Sequence, residues 1–286
     1  MEKVLPFARA ARFPLKNQSV SIEHYENFPV ASLLLPAAQR AAVGVIYRFA
    51  RSADDFADEG ELAPAERLAR LEAYRAGLGR IARGEDPGQP LLREVARLAR
   101  ERELPLQPLH DLLDAFSQDV LKPRYADFAE LLEYCRRSAN PVGRLLLHLF
   151  GAAAPENVAQ SDALCSALQL ANFWQDVALD YAKGRIYLPQ DEMARFGVSE
   201  GHIAAGRCDG AWRALLGFQV ERTRAMFDSG APLGRRLPGR IGLEIRATVE
   251  GGLRVLDKLA AADFDMFSQR PVIRWFEWPR LLWRAL

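Results

Sequence analysis

The 286-residue chain predicts an all-α fold, and three observations carry that expectation. No segment sustains the apolar/polar alternation of a half-buried strand. Most of the chain instead repeats apolar residues at three- and four-residue spacing. Hydrophobic residues make up 49% of the chain, enough for a substantial core between helices. No linker composition, internal repeat or low-complexity tract divides it. Residues 1–286 are therefore expected to form one helical domain, with an aromatic and basic tail over 274–286.

Residues 1–20 read as irregular. The segment SIEHYENFPVASLLLP then places His24, Asn27 and Phe28 just before the first long helix. A lone histidine is more often packed or solvated than catalytic. From Pro36 to Arg51 the Ala-rich run puts Val43, Ile46, Tyr47 and Ala50 on one apolar face. Pro36 suits a first turn and Gly60 the position just past the end. The last two turns then carry Asp54, Asp55, Asp58 and Glu59. A helix C-terminus prefers cations, so four acids there need compensation, for which Arg48 and Arg51 are at hand. Asp54 and Asp58 share a face at i, i+4. Such a pair suits a hard divalent cation; a solvated acidic helix end is the plain alternative.

Residues 64–82 and 90–102 read as outer helices with charged solvated faces. Residues 105–121 form another helix, on which Asp111 and Asp114 are expected to face solvent; Asp119 shares no face with both. KPRY, from Lys122 to Tyr125, is a turn. The helix over 126–139 carries Phe128, Leu131, Leu132 and Cys135 as its core stripe, with Tyr134 beside it. Asn140-Pro141 breaks the chain, and an apolar helix follows.

Residues 157–183 repeat the acidic pattern. Asn172, Asp176 and Asp180 stand at successive i, i+4 steps among Leu168, Leu170, Phe173, Trp174, Val177 and Leu179. A polar stripe on an apolar helix points inward only if it is satisfied inside. Two acidic stripes facing across a bundle repel unless cations lie between them. That combination describes a Mg²⁺–diphosphate site, since Mg²⁺ takes a few carboxylates plus phosphate oxygens. Asp176→Asn is accordingly expected to relieve repulsion and leave the metal-free chain as stable or more so. Lys183 and Arg185 close this helix, as its dipole prefers, and IYLP follows as a short extended piece. Residues 209–229 and 240–262 are further amphipathic helices, joined through GAPLGRRLPG.

The tail alternates Trp275, Phe276, Trp278 and Trp283 with Arg274, Arg280 and Arg284. Aromatics with arginines suit a membrane interface; a cap on the bundle with solvated arginines is the alternative. The longest apolar stretch, near Leu145 to Ala154, is interrupted by His148 and too short to span a bilayer. The N-terminus has charges and no long apolar core, so no signal peptide is expected. A net charge of +1 argues against a general nucleic-acid binder. Cys135, Cys165 and Cys208 show neither zinc spacing nor an even disulfide set, which points to a reducing compartment. The expected location is cytoplasmic, with a peripheral seat on the inner membrane face left open by the tail.

Together these motifs resemble the squalene/phytoene synthase group of head-to-head prenyl synthases. The resemblance runs from about His24 to Arg254. It rests on the His-containing segment, on Tyr47…Arg51-xx-Asp54-Asp55-xx-Asp58, on Tyr134 in YCRRSANPVG, and on Gln169-xx-Asn172-xxx-Asp176-xxx-Asp180 followed by GRIYLP. It implies an isoprenoid synthase fold in which Asp54, Asp55, Asp58, Asn172, Asp176 and Asp180 hold Mg²⁺, or Mn²⁺ in its place. It also implies catalytic roles for Asp54, Asp58, Tyr134, Asp176 and Asp180. Substrate contacts are implied at His24, Asn27, Phe28, Tyr47, Arg48, Arg51, Gln169, Asn172, Lys183 and Arg185.

Within the group, HYENFPVAS, NFWQDVALD and KGRIYLP look most like the hydroxysqualene synthases of bacterial hopanoid synthesis. Two positions depart from the common pattern: Asn27 stands for Ser and Gln175 for Arg. Loss of that arginine fits a site handling one diphosphate. The implied reaction ionises presqualene diphosphate, rearranges the cation in an apolar, largely dry cavity and captures it with water. Phe28, Tyr47 and Tyr134 are candidate walls for the cation. No GxGxxG fingerprint is present and no NADPH is expected. Other synthases of the group, making presqualene diphosphate, squalene or phytoene, stay open. So does contact with the enzyme that makes the substrate. A non-catalytic assembly relative would have no reason to keep all four motif aspartates.

Overall fold

Thirteen α-helices and one 3₁₀ turn (Trp275–Glu277) follow one another among the described residues, with no strand between them. The structure is a computed structural model describing residues 37–58, 60, 62–268 and 270–286, with the side chains of residues 37, 38 and 275 left aside. His24, Asn27, Phe28 and Glu59 lie outside that range.

The helices are α1 (Ala37–Asp58), α2 (Pro64–Ala82), α3 (Pro90–Arg102), α4 (Gln107–Leu121), α5 (Phe128–Ser138), α6 (Asn140–Leu149) and α7 (Pro155–Ala182). Two short helices follow, α8 (Gln190–Arg195) and α9 (Glu200–Ala204). Then come α10 (Gly210–Gly230), the single turn α11 (Leu233–Arg236), α12 (Gly239–Ala261) and α13 (Trp278–Ala285). The long helices fall where the apolar periodicity puts them. The four-residue α11 lies inside GAPLGRRLPG, and α8, α9 and α13 are too short for a window of eleven or more residues to register.

Two buried clusters hold the helices together. One joins α1 to α4 and α6 around Phe49, Leu71, Leu92, Leu112 and Leu113. The other gathers α5, α7, α10 and α12 around Trp174, Trp212, Leu215 and Phe227. α7 is the axis of the second cluster. Leu164, Ala167, Leu170, Phe173, Trp174 and Val177 bury it on several sides, and the Trp174 indole N–H donates to Thr223 Oγ1 at 2.8 Å, so its polar atom is satisfied.

Close approach depends on small residues. A Cβ at Gly143 of α6 would sit 2.3 Å from Ser161 Oγ of α7. One at Gly252 of α12 would sit 2.2 Å from the Phe227 ring of α10. Both glycines let helix backbones pack closer than any side chain would allow.

One expectation about polarity is overturned. Asp111 is buried at 8% exposure and accepts from Gln107 Nε2 at 2.9 Å. Residue 107 lies one turn before it, so a local amide satisfies the carboxylate without solvent. Asp114 does stay at the surface, paired with Arg75 at 2.7 Å.

Candidate active site

A cavity of about 470 Å³ lies between the two clusters, walled by α1, α4, α5, α6, α7 and α12. Most of the wall is aliphatic or aromatic, including Val43, Ile46, Leu112, Phe116, Leu164 and Ile245. Tyr47, Arg51 and Asp54 of α1 face it with Gln169 and Asn172 of α7 and Tyr134 of α5. Residues from separate stretches of sequence therefore share one chamber. Asp54 of α1 and Glu244 of α12 are the acids on its wall, beside Ile241 and Ile245 of α12; Asp58, Asp176 and Asp180 are not among its lining residues.

The first acidic group closes α1. Arg51 pairs with Asp55 at 2.9 Å and with Asp54 at 3.3 Å. Arg48 is directed elsewhere, to Glu94 of α3, and so does not offset the acids. The helix end is instead capped from α2: Arg67 donates to the carbonyls of Ala57 and Gly60, each at 2.7 Å. A guanidinium on these orphan carbonyls opposes the negative end of the dipole.

The second acidic group runs along α7. Gly184, at φ 81°, turns the chain just after this helix, and Arg185 N bonds back to the Asp180 carbonyl at 2.8 Å. That turn sends both cations to α1. Lys183 Nζ reaches Asp58 at 3.0 Å and Arg185 Nη2 reaches it at 2.5 Å. The end of one acidic helix is thus tied to the end of the other through Asp58.

The electrostatics follow from these contacts. Burial raises the Asp58 carboxyl, yet the hydrogen bonds and charges of Arg185 and Lys183 outweigh it and hold Asp58 below its ordinary value. Asp54 is pushed up to about 6, chiefly by burial and by the charge of Asp58, with Arg51 opposing. Asp180 rises to about 7 through burial and the charge of Asp176, against Arg185 and Lys183; Asp58 adds to the rise across the gap. The two motifs sense each other's charge, which requires them to be neighbours.

Asp176 is not simply repelled. Arg270, on the segment between α12 and α13, forms a two-pronged pair with it, one arm from Nη2 at 3.1 Å and the other from Nε. Next to it, the buried Gln175 amide donates to the Pro271 carbonyl. The expectation that Asp176→Asn leaves the metal-free chain at least as stable is therefore revised, because that change removes the charge with which Arg270 pairs. Arg270 carries no motif signal; only its distance in sequence hides it.

Asp119 is the other residue that pattern reading passes over. It extends the α4 stripe of Leu112 and Phe116 inward. Tyr134 donates to Asp119 Oδ2 at 2.8 Å and Tyr187 to Oδ1 at 3.4 Å. Arg185 Nη2 adds a contact to the Asp119 carbonyl at 3.3 Å. Burial drives this carboxyl up to about 7 despite Arg185 and the Tyr134 hydrogen bond. Tyr187 comes from the extended IYLP piece, which is seated on KPRY by Ile186 N to Pro123 O at 3.0 Å. Its ring stacks on Phe173 with centroids 3.7 Å apart and lies 5.8 Å from that of Tyr134.

The donor set suits a hard cation. Buried, mutually repelling carboxylates with raised proton affinity are oxygen ligands awaiting positive charge. Among the described residues no three acidic, histidine or cysteine side chains converge closely enough to cage an ion. Mg²⁺, which keeps several waters and favours phosphate oxygens, is compatible with such an open set.

Comparisons with known proteins agree with this geometry. The sequence profile of the squalene/phytoene synthase family matches residues 22–277. The chain is 36% identical to the hydroxysqualene synthase of Rhodopseudomonas palustris over 240 residues, 83% of this chain and 80% of that one. It is 31% identical to the 15-cis-phytoene synthase of Synechococcus elongatus over 268 residues, 90% of this chain and 86% of that one. Among solved structures, squalene synthase HpnC from Alicyclobacillus acidocaldarius superposes with a TM-score of 0.78 at 36% identity. That match covers 85% of this chain and 90% of the other.

Proposed function

Because this chain belongs to the squalene/phytoene synthase family, we propose that it ionises presqualene diphosphate and releases hydroxysqualene after water captures the rearranged cation. The observation that carries this reading is the pairing of two acidic helix ends, bridged by Lys183 and Arg185, with an apolar chamber walled by Tyr134. Charge belongs at one end of such a chamber and hydrocarbon in the rest.

Asp54, Asp55, Asp58, Asn172, Asp176 and Asp180 would hold Mg²⁺, or Mn²⁺. When bound, the metal supplies positive charge to the departing diphosphate. The chain's own residues do the rest. Lys183, Arg185 and Arg51 are held near the acids and can turn part of their hydrogen bonding to phosphate oxygens. The aliphatic walls exclude bulk water from the cation. Tyr47 and Tyr134 line the same chamber, and aromatic rings favour a neighbouring cation. His24, Asn27, Phe28 and Gln169 remain candidate substrate contacts. The Arg48 side chain is directed to Glu94, so a role on the diphosphate would require it to leave that pair.

A second reading, phytoene synthase, is favoured by the similarity to the Synechococcus enzyme across 90% of this chain. Both readings begin with the loss of diphosphate. Separate incubation with presqualene, farnesyl and geranylgeranyl diphosphates and Mg²⁺ tells them apart. The expected result is a C30 alcohol from presqualene diphosphate, carrying oxygen from labelled water and unaffected by NADPH. Turnover of geranylgeranyl diphosphate alone, or a hydrocarbon formed only with NADPH, would replace this reading.

A further inference from the structure

The buried carboxyl of Asp119 belongs to neither acidic motif, yet its side chain meets two hydroxyls. Tyr134 spends its only hydroxyl hydrogen on Asp119 Oδ2 at 2.8 Å, while the same residue walls the chamber. A phenol has one O–H to donate and acceptor capacity besides. With the hydrogen committed to Asp119, only lone pairs remain for anything else that approaches the Tyr134 oxygen. Tyr187 approaches the other carboxyl oxygen at 3.4 Å, so each oxygen of the carboxyl meets one tyrosine hydroxyl, while Arg185 contacts the Asp119 backbone carbonyl at 3.3 Å. Tyr134 is itself held by rings: Tyr125 at 5.5 Å, Phe173 at 6.0 Å and Tyr187 at 5.8 Å between centroids. An acceptor that cannot rotate its hydrogen toward the chamber is suited to a water molecule, which arrives with hydrogens to give.

We propose that Asp119 is a positioning residue that fixes Tyr134 as the acceptor for the capturing water and takes up the proton that capture releases. The proposal rests on the reading of the reaction as water capture. In that step a lone pair of the water forms the C–O bond to the cationic carbon. One water proton passes to the Tyr134 oxygen as the phenolic proton passes to the Asp119 carboxylate. The tyrosine ends as it began, the product is a neutral alcohol, and the proton on Asp119 returns to solvent between turnovers. Burial raises the Asp119 carboxyl to about 7 against the charge of Arg185, so near neutral pH it is both partly ionised and able to hold a proton.

The experiment measures product ratio instead of rate alone. Wild-type protein, Asp119→Asn, Tyr134→Phe and the double variant are given presqualene diphosphate and Mg²⁺. The C30 alcohol and the hydrocarbons formed by proton loss are quantified beside released diphosphate. A merely structural defect lowers all products together. The proposal expects the ratio of alcohol to hydrocarbon to fall about tenfold in each single variant. The double variant should fall no further than the worse single, because the two residues act as one unit. An unchanged ratio in either single variant overturns the proposal, as does a double variant whose loss is the product of the two. Loss of all turnover with melting temperature intact would place the pair in ionisation and overturn it too. Should Asp119→Asn fail to fold, the ratio in Tyr134→Phe decides by itself. If the wild type makes no alcohol, the water-capture reading itself falls, which the first incubation reveals before any variant is compared.

Discussion

Single residues at the acidic ends differ in what their charge does, although all are aspartates. Asp180 has its proton affinity raised to about 7, chiefly by burial and then by Asp176, so the folded chain binds a proton more readily there than the unfolded chain does. Stability from this residue is present at low pH and falls as pH rises from about 4 toward about 7. Removing its charge should help the metal-free protein. Asp180→Asn should raise the melting temperature at pH 8 by a few degrees, with the gain vanishing near pH 4. A scanning melt at both pH values checks this, and a lower melting temperature at pH 8 would refute it. Asp176→Asn should do the reverse, costing about 1–3 kcal/mol, because it removes the carboxylate charge that pairs with Arg270. The sequence carried the aspartates and their faces, since i, i+4 spacing is local. It could not carry Arg270, which lies 94 residues from its partner, or Asp119, whose role comes from tyrosines on other segments. Nor could it separate Arg48 from Arg67 as the cation that serves the end of α1; that choice is made by where α2 and α3 pack.

Elements repeat the lesson at a larger scale. The long helices were legible because apolar residues recur along them at three- and four-residue spacing, and the turn after α7 was legible because Lys-Gly-Arg suits a helix end. The tail was not, because aromatics and arginines fit two environments equally. In the structure α13 is packed on one side and open on the other. Leu281 and Ala285 are buried, Arg246 bonds the Ala285 carbonyl, and Arg284 pairs with Glu250 of α12 at 2.9 Å. Just before it, Arg254 and Lys258 hold Glu277. The outer side leaves Phe276 and Trp283 exposed, the latter at 75%. Deleting residues 274–286 would therefore damage packing as well as any membrane contact. Trp283→Ala with Phe276→Ala is the cleaner change. If this side meets the bilayer, as we propose for a hydrocarbon substrate and a chain with no described helix able to span a membrane, turnover from lipid vesicles should fall several-fold. Turnover in detergent should stay near wild type. Equal values in both assays would leave the tail as a cap.

At the scale of the whole molecule, the two acidic helix ends belong to different packing units, and the cavity lies between them. α1 is built into the cluster around Phe49, α7 into the cluster around Trp174, and Asp58 with Lys183 and Arg185 ties them at the acidic end. From the sequence, both stripes could be read as serving one cation. The sequence could not show that one lysine and one arginine side chain already reach from the end of α7 to Asp58, since that depends on how the clusters dock. The consequence is a coupling between ligand and stability. A ligand that binds only the folded site stabilises by RT ln(1 + [L]/Kd), about 2.7 kcal/mol at a hundredfold excess over Kd. Mg²⁺ alone should do little, because among the described residues no three side chains form a closed cage for it. Mg²⁺ with inorganic pyrophosphate should raise the melting temperature by several degrees, and a chelator should reverse the rise. Pyrophosphate without metal should also do little, since it meets Asp54, Asp58 and Asp180 as well as the cations. A calorimetric scan of these four conditions tests whether the site is shared. An equal rise with Mg²⁺ alone would mean an independent metal site, and no rise with both would mean that α1 and α7 do not act on one ligand.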